Sequence, residues 1–146
     1  MRIVFVCHGN TCRSPMAEAI ARQWLAERGI AIEVASAGVS AQDGSPASDG
    51  AAQAMRERGL DLSAHRSQSV WDLDIGPDDR LWCMQAAHVS RIRATRTAWP
   101  AQTLGDAAGT HDDVPDPYGG SSAVYADTAQ TLTSRVDAAL TRCFEA

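Results

Sequence analysis

Short apolar runs alternate along this chain with segments whose apolar residues recur every three or four positions. Arg2 to Val6 is β-branched, aromatic and almost wholly apolar, the pattern of a strand buried on both faces of a parallel sheet. The turn-rich stretch HGNTCRS follows, and Pro15 opens a helix where its missing N–H is harmless. Met16, Ile20 and Trp24, flanked by Ala17, Ala21 and Leu25, form one apolar face of that helix, and Gly29 suits its C-terminal cap. Ile30 to Ala37 reads as a second strand ended by Gly38, residues 39 to 48 as a loop, and Asp49 to Arg58 as a short helix stopped by Gly59. A further short helix falls at Ser69 to Leu73, a third strand at Arg80 to Met84, and an amphipathic helix near Ala86 to Arg96. Ala101 to Leu104 is a weak fourth strand, and 105 to 120 is a loop rich in Gly, Asp and Pro. The last helix spans about Ser122 to Phe144, with Val124, Leu132, Val136, Leu140 and Phe144 along its stripe.

Strands alternating with helices predict an α/β fold: a three-layer αβα arrangement with a four-stranded parallel sheet, doubly wound. At 146 residues the chain is expected to form a single domain over 1–146. In such folds ligands sit beyond the carboxyl ends of the strands, and the loop after the first strand leaves from that end.

Composition narrows the function. The 13 basic residues are all arginine, which excludes a phosphate-loop lysine and a Schiff-base lysine. A net charge of −5 argues against general nucleic-acid binding. The first residues lack the long apolar region of a secretory leader, and no stretch is long enough to span a membrane, so a cytoplasmic location is expected. Cys7, Cys12, Cys83 and Cys143 contain no closely spaced pair, so no metal site is expected, and in a reducing compartment they are thiols first.

The segment Cys7-His8-Gly9-Asn10-Thr11-Cys12-Arg13-Ser14-Pro15 joins the first strand to the first helix. It reads as a cradle for a phosphate-sized dianion, with contacts from His8, Gly9, Asn10, Thr11, Cys12, Arg13 and Ser14. Backbone N–H groups can turn inward as an anion nest, the helix start adds partial positive charge, and Arg13 offers two parallel donors. Gly9 and Asn10 tolerate left-handed backbone. The same surroundings favour the nucleophilic thiolate of Cys7, and Ser14 is placed to donate to it. Attack on phosphorus gives a thiophosphate enzyme, with Arg13 and the amides holding the transferring charge. Asp116, fixed between Pro115 and Pro117, is expected to protonate the leaving group and then to activate water.

Across essentially its whole length the sequence resembles the low-molecular-weight protein tyrosine phosphatases. The resemblance rests on VCHGNTCRSPMAEAI, on Ser36-Ala37-Gly38, on GLDLSAHRS and on DVPDPYGG, in that order. It implies Cys7 as nucleophile, Arg13 as phosphate clamp and Asp116 as general acid, with Asn10, Ser14, Ser36 and His65 shaping the loop. It also implies no cofactor, no metal, phosphorylated proteins as partners and inorganic phosphate as product, with neither nucleic acid nor membrane involved.

Two positions bear on the substrate. Thr11 stands where tyrosine-type members commonly carry an aliphatic residue, and is similar here to the protein-arginine phosphatase branch. Residues 39–48 contain no aromatic to pair with Tyr118 as a second wall, although Trp71 is another candidate for the mouth. Phosphoarginine is therefore the favoured substrate, selected by Thr11 and Tyr118, with phosphotyrosine as the alternative. Cys7 and Cys12 lie close enough in sequence for a protective disulfide. A thiol-dependent arsenate reductase is a lesser alternative, because Cys83 and Cys143 form no relay pair. A module that only binds phosphate has no use for Asp116.

Overall fold

A computed structural model describes residues 1–145. Four parallel strands, β1 (Arg2–Cys7), β2 (Glu33–Gly38), β3 (Arg80–Cys83) and β4 (Ala101–Thr103), lie in the order β2-β1-β3-β4. They are joined by α1 (Arg13–Glu27), α2 (Asp49–Arg56), α3 (Ala86–Thr95), α4 (Leu104–Ala108) and α5 (Ser122–Phe144). The expected three-layer, doubly wound α/β arrangement is the one observed.

The period-two alternation of β1 sorts the layers. Ile3, Phe5 and Cys7 face a core built with α1, α2, α4 and α5, including Met16, Met55, Leu104, Leu132 and Val136. Val4 and Val6 face the other side, against Val89 and Ile92 of α3 and Val70 of a single turn at Val70–Asp72. Trp82 of β3 packs edge-on against Phe5, with ring centroids 5.8 Å apart. Because β2 and β3 lie on opposite sides of β1, the order of winding reverses there, and the carboxyl end of β1 opens into the crevice.

Several boundaries, and one residue of the last helix's apolar stripe, differ from the sequence reading. The second strand begins at Glu33, the partner of Arg2 at the start of β1, because upstream residues have no strand to pair with. Ile30 instead closes α1: Gly29 adopts φ 66° and the Ile30 N–H returns to the Leu25 carbonyl. The first helix starts at Arg13, which leaves Pro15 still within the first turn. Leu104 belongs to α4, not to the fourth strand; Thr103 caps this helix by accepting the Asp106 N–H and left-handed Gly109 ends it. Val124 is 44% exposed, since α5 presents Tyr125, Thr128, Ala129, Leu132 and Val136 to the core and Val124 lies to one side of that stripe.

Candidate functional site

The loop between β1 and α1 is held from below by Asn10, which is fully buried with φ 56°. Its Nδ2 donates to Ser14 Oγ (2.8 Å) and Ser36 Oγ (2.9 Å), and its Oδ1 accepts the Gln68 N–H (2.9 Å). His65 Nε2 lies 2.7 Å from the Asn10 carbonyl, which can only accept, so that nitrogen carries the proton. These bonds hold a non-glycine residue in the left-handed region. Gly9, by contrast, does not enter that region.

The same network aims donors at sulfur. Ser14 Oγ accepts from Asn10 and lies 2.9 Å from Cys7 Sγ, nearer than the 3.5 Å to the Ala37 carbonyl, its other acceptor. The Asn10 N–H also reaches Cys7 Sγ, at 3.3 Å. Among the residues expected to hold phosphate, Asn10 thus has both its side chain and its N–H turned toward the protein. The N–H groups of Gly9, Thr11, Cys12 and Arg13 have no acceptor among the described residues. They surround the start of α1, whose partial positive charge adds to theirs.

Arg13 is only 2% exposed, although it carries a full charge. Its Nη1 donates to Gln85 Oε1 (2.8 Å) and to the Val114 carbonyl (2.9 Å). Its Nη2 lies 3.7 Å from Asp116 Oδ2, a charge contact rather than a hydrogen bond. Its Nε is buried and has no acceptor among the described residues. One corner of the guanidinium is therefore anchored, while the Nε–Nη2 edge keeps the geometry for a bidentate oxyanion.

Asp116 is carried by a loop pinned to its surroundings. The Val114 N–H bonds the Met84 carbonyl at 2.8 Å, so the residue that anchors Arg13 is itself tied to the end of β3. Asp112 forms a bidentate pair with Arg135 of α5, which holds its carboxyl well below the usual carboxylate range. Asp113 accepts the Ala86 N–H at the start of α3. Gly105 is needed here, because a Cβ on it would lie 2.1 Å from the Asp112 carbonyl oxygen. Asp116 Oδ1 accepts the Tyr118 N–H at 3.1 Å.

These elements meet around a cavity of about 210 Å³ lined by Cys7, His8, Gly9, Thr11, Cys12, Arg13, Asp116 and Tyr118. Asn10, Ser14, Ser36 and His65 lie outside its lining and act on it through the loop. Tyr118, 78% exposed, is its one aromatic wall. No residue of 39–48 lines it. Trp71 is on the far layer, stacked on Trp99 with its N–H on the Val39 carbonyl.

Sequence reasoning missed Gln85, Gly38 and Tyr125. Gln85 follows the third strand, one of the places where a ligand-facing residue is expected in this fold. Gly38 ends β2 against the loop, and a Cβ there would lie 2.5 Å from the His8 carbonyl oxygen. Tyr125 OH sits 3.4 Å from Cys12 Sγ, and Cys12 also bonds Ser48 Oγ at 3.2 Å. Cys83 is enclosed in the sheet, where burial pushes its thiol up to about 12. Cys143 lies on α5 away from the cavity, and neither it nor Cys83 lines the cavity around Cys7. Among the described residues no cluster has the makings of a metal site, and no helix is long and apolar enough to cross a membrane.

Residues 2–145 match the family model described as low molecular weight phosphotyrosine protein phosphatase. The protein-arginine-phosphatase of Geobacillus stearothermophilus is 37% identical over 139 residues, which cover 93% of this chain and 91% of that one. The low molecular weight protein-tyrosine-phosphatase PtpB of Staphylococcus epidermidis is 34% identical over 138 residues, covering 94% and 95% of the two chains. Among solved structures, an arginine phosphatase variant with a phosphorylated active-site serine superposes with a TM-score of 0.88 at 31% identity, covering 99% of this chain and 96% of that one.

Proposed function

Because the chain belongs to the low molecular weight phosphotyrosine protein phosphatase family and is a phosphoprotein phosphatase, we propose that it hydrolyses phosphoarginine in proteins through a Cys7 thiophosphate. The observation that carries the chemistry is the buried, unpartnered Nε of Arg13 beside a cysteine that two donors address. A buried cation with an unused donor edge fits an oxyanion.

In the first step Cys7 Sγ attacks phosphorus and the bond from phosphorus to the arginine nitrogen breaks. Asp116 supplies the proton that this nitrogen takes up on leaving. The Arg13 edge and the loop amides hold the equatorial oxygens throughout. In the second step Asp116 takes a proton from water, the water oxygen attacks phosphorus, and the sulfur–phosphorus bond breaks. Inorganic phosphate leaves and the thiolate is restored. Ser14 stabilises that thiolate before attack and again as it departs. Asn10, Ser36 and His65 are positioning residues that keep the loop in shape.

Thr11 and the single aromatic wall support the choice of substrate. A phenol ring gains most between two apolar walls, whereas a guanidinium leaving group is polar and tolerates an open side and a hydroxyl. Tyr118 and the kinship with tyrosine-type members favour phosphotyrosine as the second reading. Metal-free, reduced enzyme assayed on matched phosphoarginine and phosphotyrosine peptides decides between them. The expected result is higher kcat/KM on phosphoarginine, with Thr11→Ile moving the ratio about tenfold toward phosphotyrosine. An unmoved ratio removes Thr11 as the selector.

Cys12 also has a redox role in this reading. Peroxide oxidises the Cys7 thiolate to a sulfenic acid and releases hydroxide; the Cys12 thiol then displaces water to form a disulfide. Cys12 has to leave Ser48 and Tyr125 to do so. Peptide mapping after mild peroxide is expected to find Cys7 joined to Cys12. Over-oxidised Cys7 beside free Cys12 is the contrary result.

A further inference from the structure

A second cavity, of about 420 Å³, adjoins the catalytic one and shares His8, Arg13 and Asp116 with it. Its separate wall is the first part of α3 with the residues just before it, Gln85, Ala87, His88 and Arg91, facing Val39. The polar groups this wall leaves unused are donors. Arg91 is exposed; it donates to Ser40 Oγ and pairs with no carboxylate among the described residues. His88 is only 5% exposed, and its Nδ1 accepts the Gln85 N–H at 3.2 Å. The proton of the neutral ring is therefore on Nε2, which has no acceptor among the described residues. Burial, with the nearby Arg13 and His8, pushes His88 down to about 4, so near neutral pH it is an uncharged donor rather than a second cation. Asp116 is the acid on the shared ridge, and both its oxygens are engaged, one by the Tyr118 N–H and one facing Arg13.

We propose that this cavity is a substrate subsite that takes the carboxylate of an acidic side chain next to the phosphorylated residue, with Arg91 as its cation and His88 Nε2 as its second donor. The proposal rests on the phosphoprotein phosphatase reading of the adjoining pocket, and gives it a preference for sequence around the phosphorylated residue. The two cavities share His8, Arg13 and Asp116, so only this ridge separates a residue seated over Cys7 from a neighbour in an extended chain directed at Arg91. A carboxylate there replaces water on Arg91 with a charge-assisted bond.

The test uses phosphopeptides carrying Glu, Gln or Lys at both flanking positions, made in phosphoarginine and phosphotyrosine series. They are assayed on wild type, Arg91→Ala and Arg91→Glu, with para-nitrophenyl phosphate as a substrate that has no flanks. Wild type is expected to favour Glu over Lys flanks by about tenfold in kcat/KM. Arg91→Ala is expected to erase that preference and Arg91→Glu to reverse it, both with unchanged turnover of para-nitrophenyl phosphate. Equal kcat/KM on the three flanks in wild type, or a preference that survives Arg91→Ala, overturns the proposal. So does an equal loss on para-nitrophenyl phosphate, which makes Arg91 a support of the loop. The Gln-flanked pair separately reports phosphoarginine against phosphotyrosine, so either reading can fail while the other stands.

Discussion

Cys7→Ser is expected to lower kcat by about ten thousandfold or more, with the fold intact. Serine matches the shape of cysteine, and its hydroxyl can still meet Ser14 and the Asn10 N–H. Ionisation is what it loses. The proposed mechanism uses the sulfur as a thiolate, and an alkoxide is far harder to form beside the same two donors. The second step suffers as well, because an alkoxide is a poorer leaving group than a thiolate when water attacks phosphorus. Any phosphoryl group that does transfer therefore stays on the serine. The measurement is single-turnover kinetics with intact-mass analysis. Turnover within tenfold of wild type rules out Cys7 as the nucleophile.

Arg13→Lys is expected to lower kcat by roughly a thousandfold although the charge is kept. The guanidinium has two parts to play: Nη1 ties Gln85 and the Val114 carbonyl together, and the Nε–Nη2 edge is left with no hydrogen-bond acceptor among the described residues. A single ammonium cannot do both in this enclosed place. If it turns to phosphate, the Val114 carbonyl loses its donor and the loop that carries Asp116 loosens. If it stays with Val114, the oxyanion has no fork. Thermal melting beside steady-state kinetics separates the two costs. A kcat within about tenfold of wild type, at unchanged Tm, removes the bidentate role.

The parts of this molecule written in contiguous residues were the legible ones. Strand, cysteine, turn, Arg-Ser-Pro and helix follow one another within Arg2–Trp24, so both the fold class and the cradle could be read there. Asp116 was legible for the same reason, held by a proline on each side. Gln85 was not, since its value comes from the end of β3 lying beside Arg13, a contact 72 residues away in sequence. Gly38 reads as a strand terminator until the His8 carbonyl is seen against it. Of the two residues expected to tolerate left-handed backbone, Asn10 is the one that adopts it, because Ser36, His65 and Gln68, three neighbours distant in sequence, bond it together with Ser14. Helix α4 was hidden by its five-residue length, although Thr103, Asp106 and Gly109 spell out its two ends.

The bonds that fix Asn10 are made among protein groups alone, so the cradle is complete before anything enters it. Little ordering entropy remains to be lost when a tetrahedral anion docks. Such a receptor recognises the free anion nearly as well as the same group attached to a protein, and discrimination falls to whatever lies outside the cradle. On the proposed reaction, the departing orthophosphate is then expected to compete with substrate for the cradle. Turnover by that reaction is then expected to follow the ratio of phosphoprotein to orthophosphate rather than the phosphoprotein level alone.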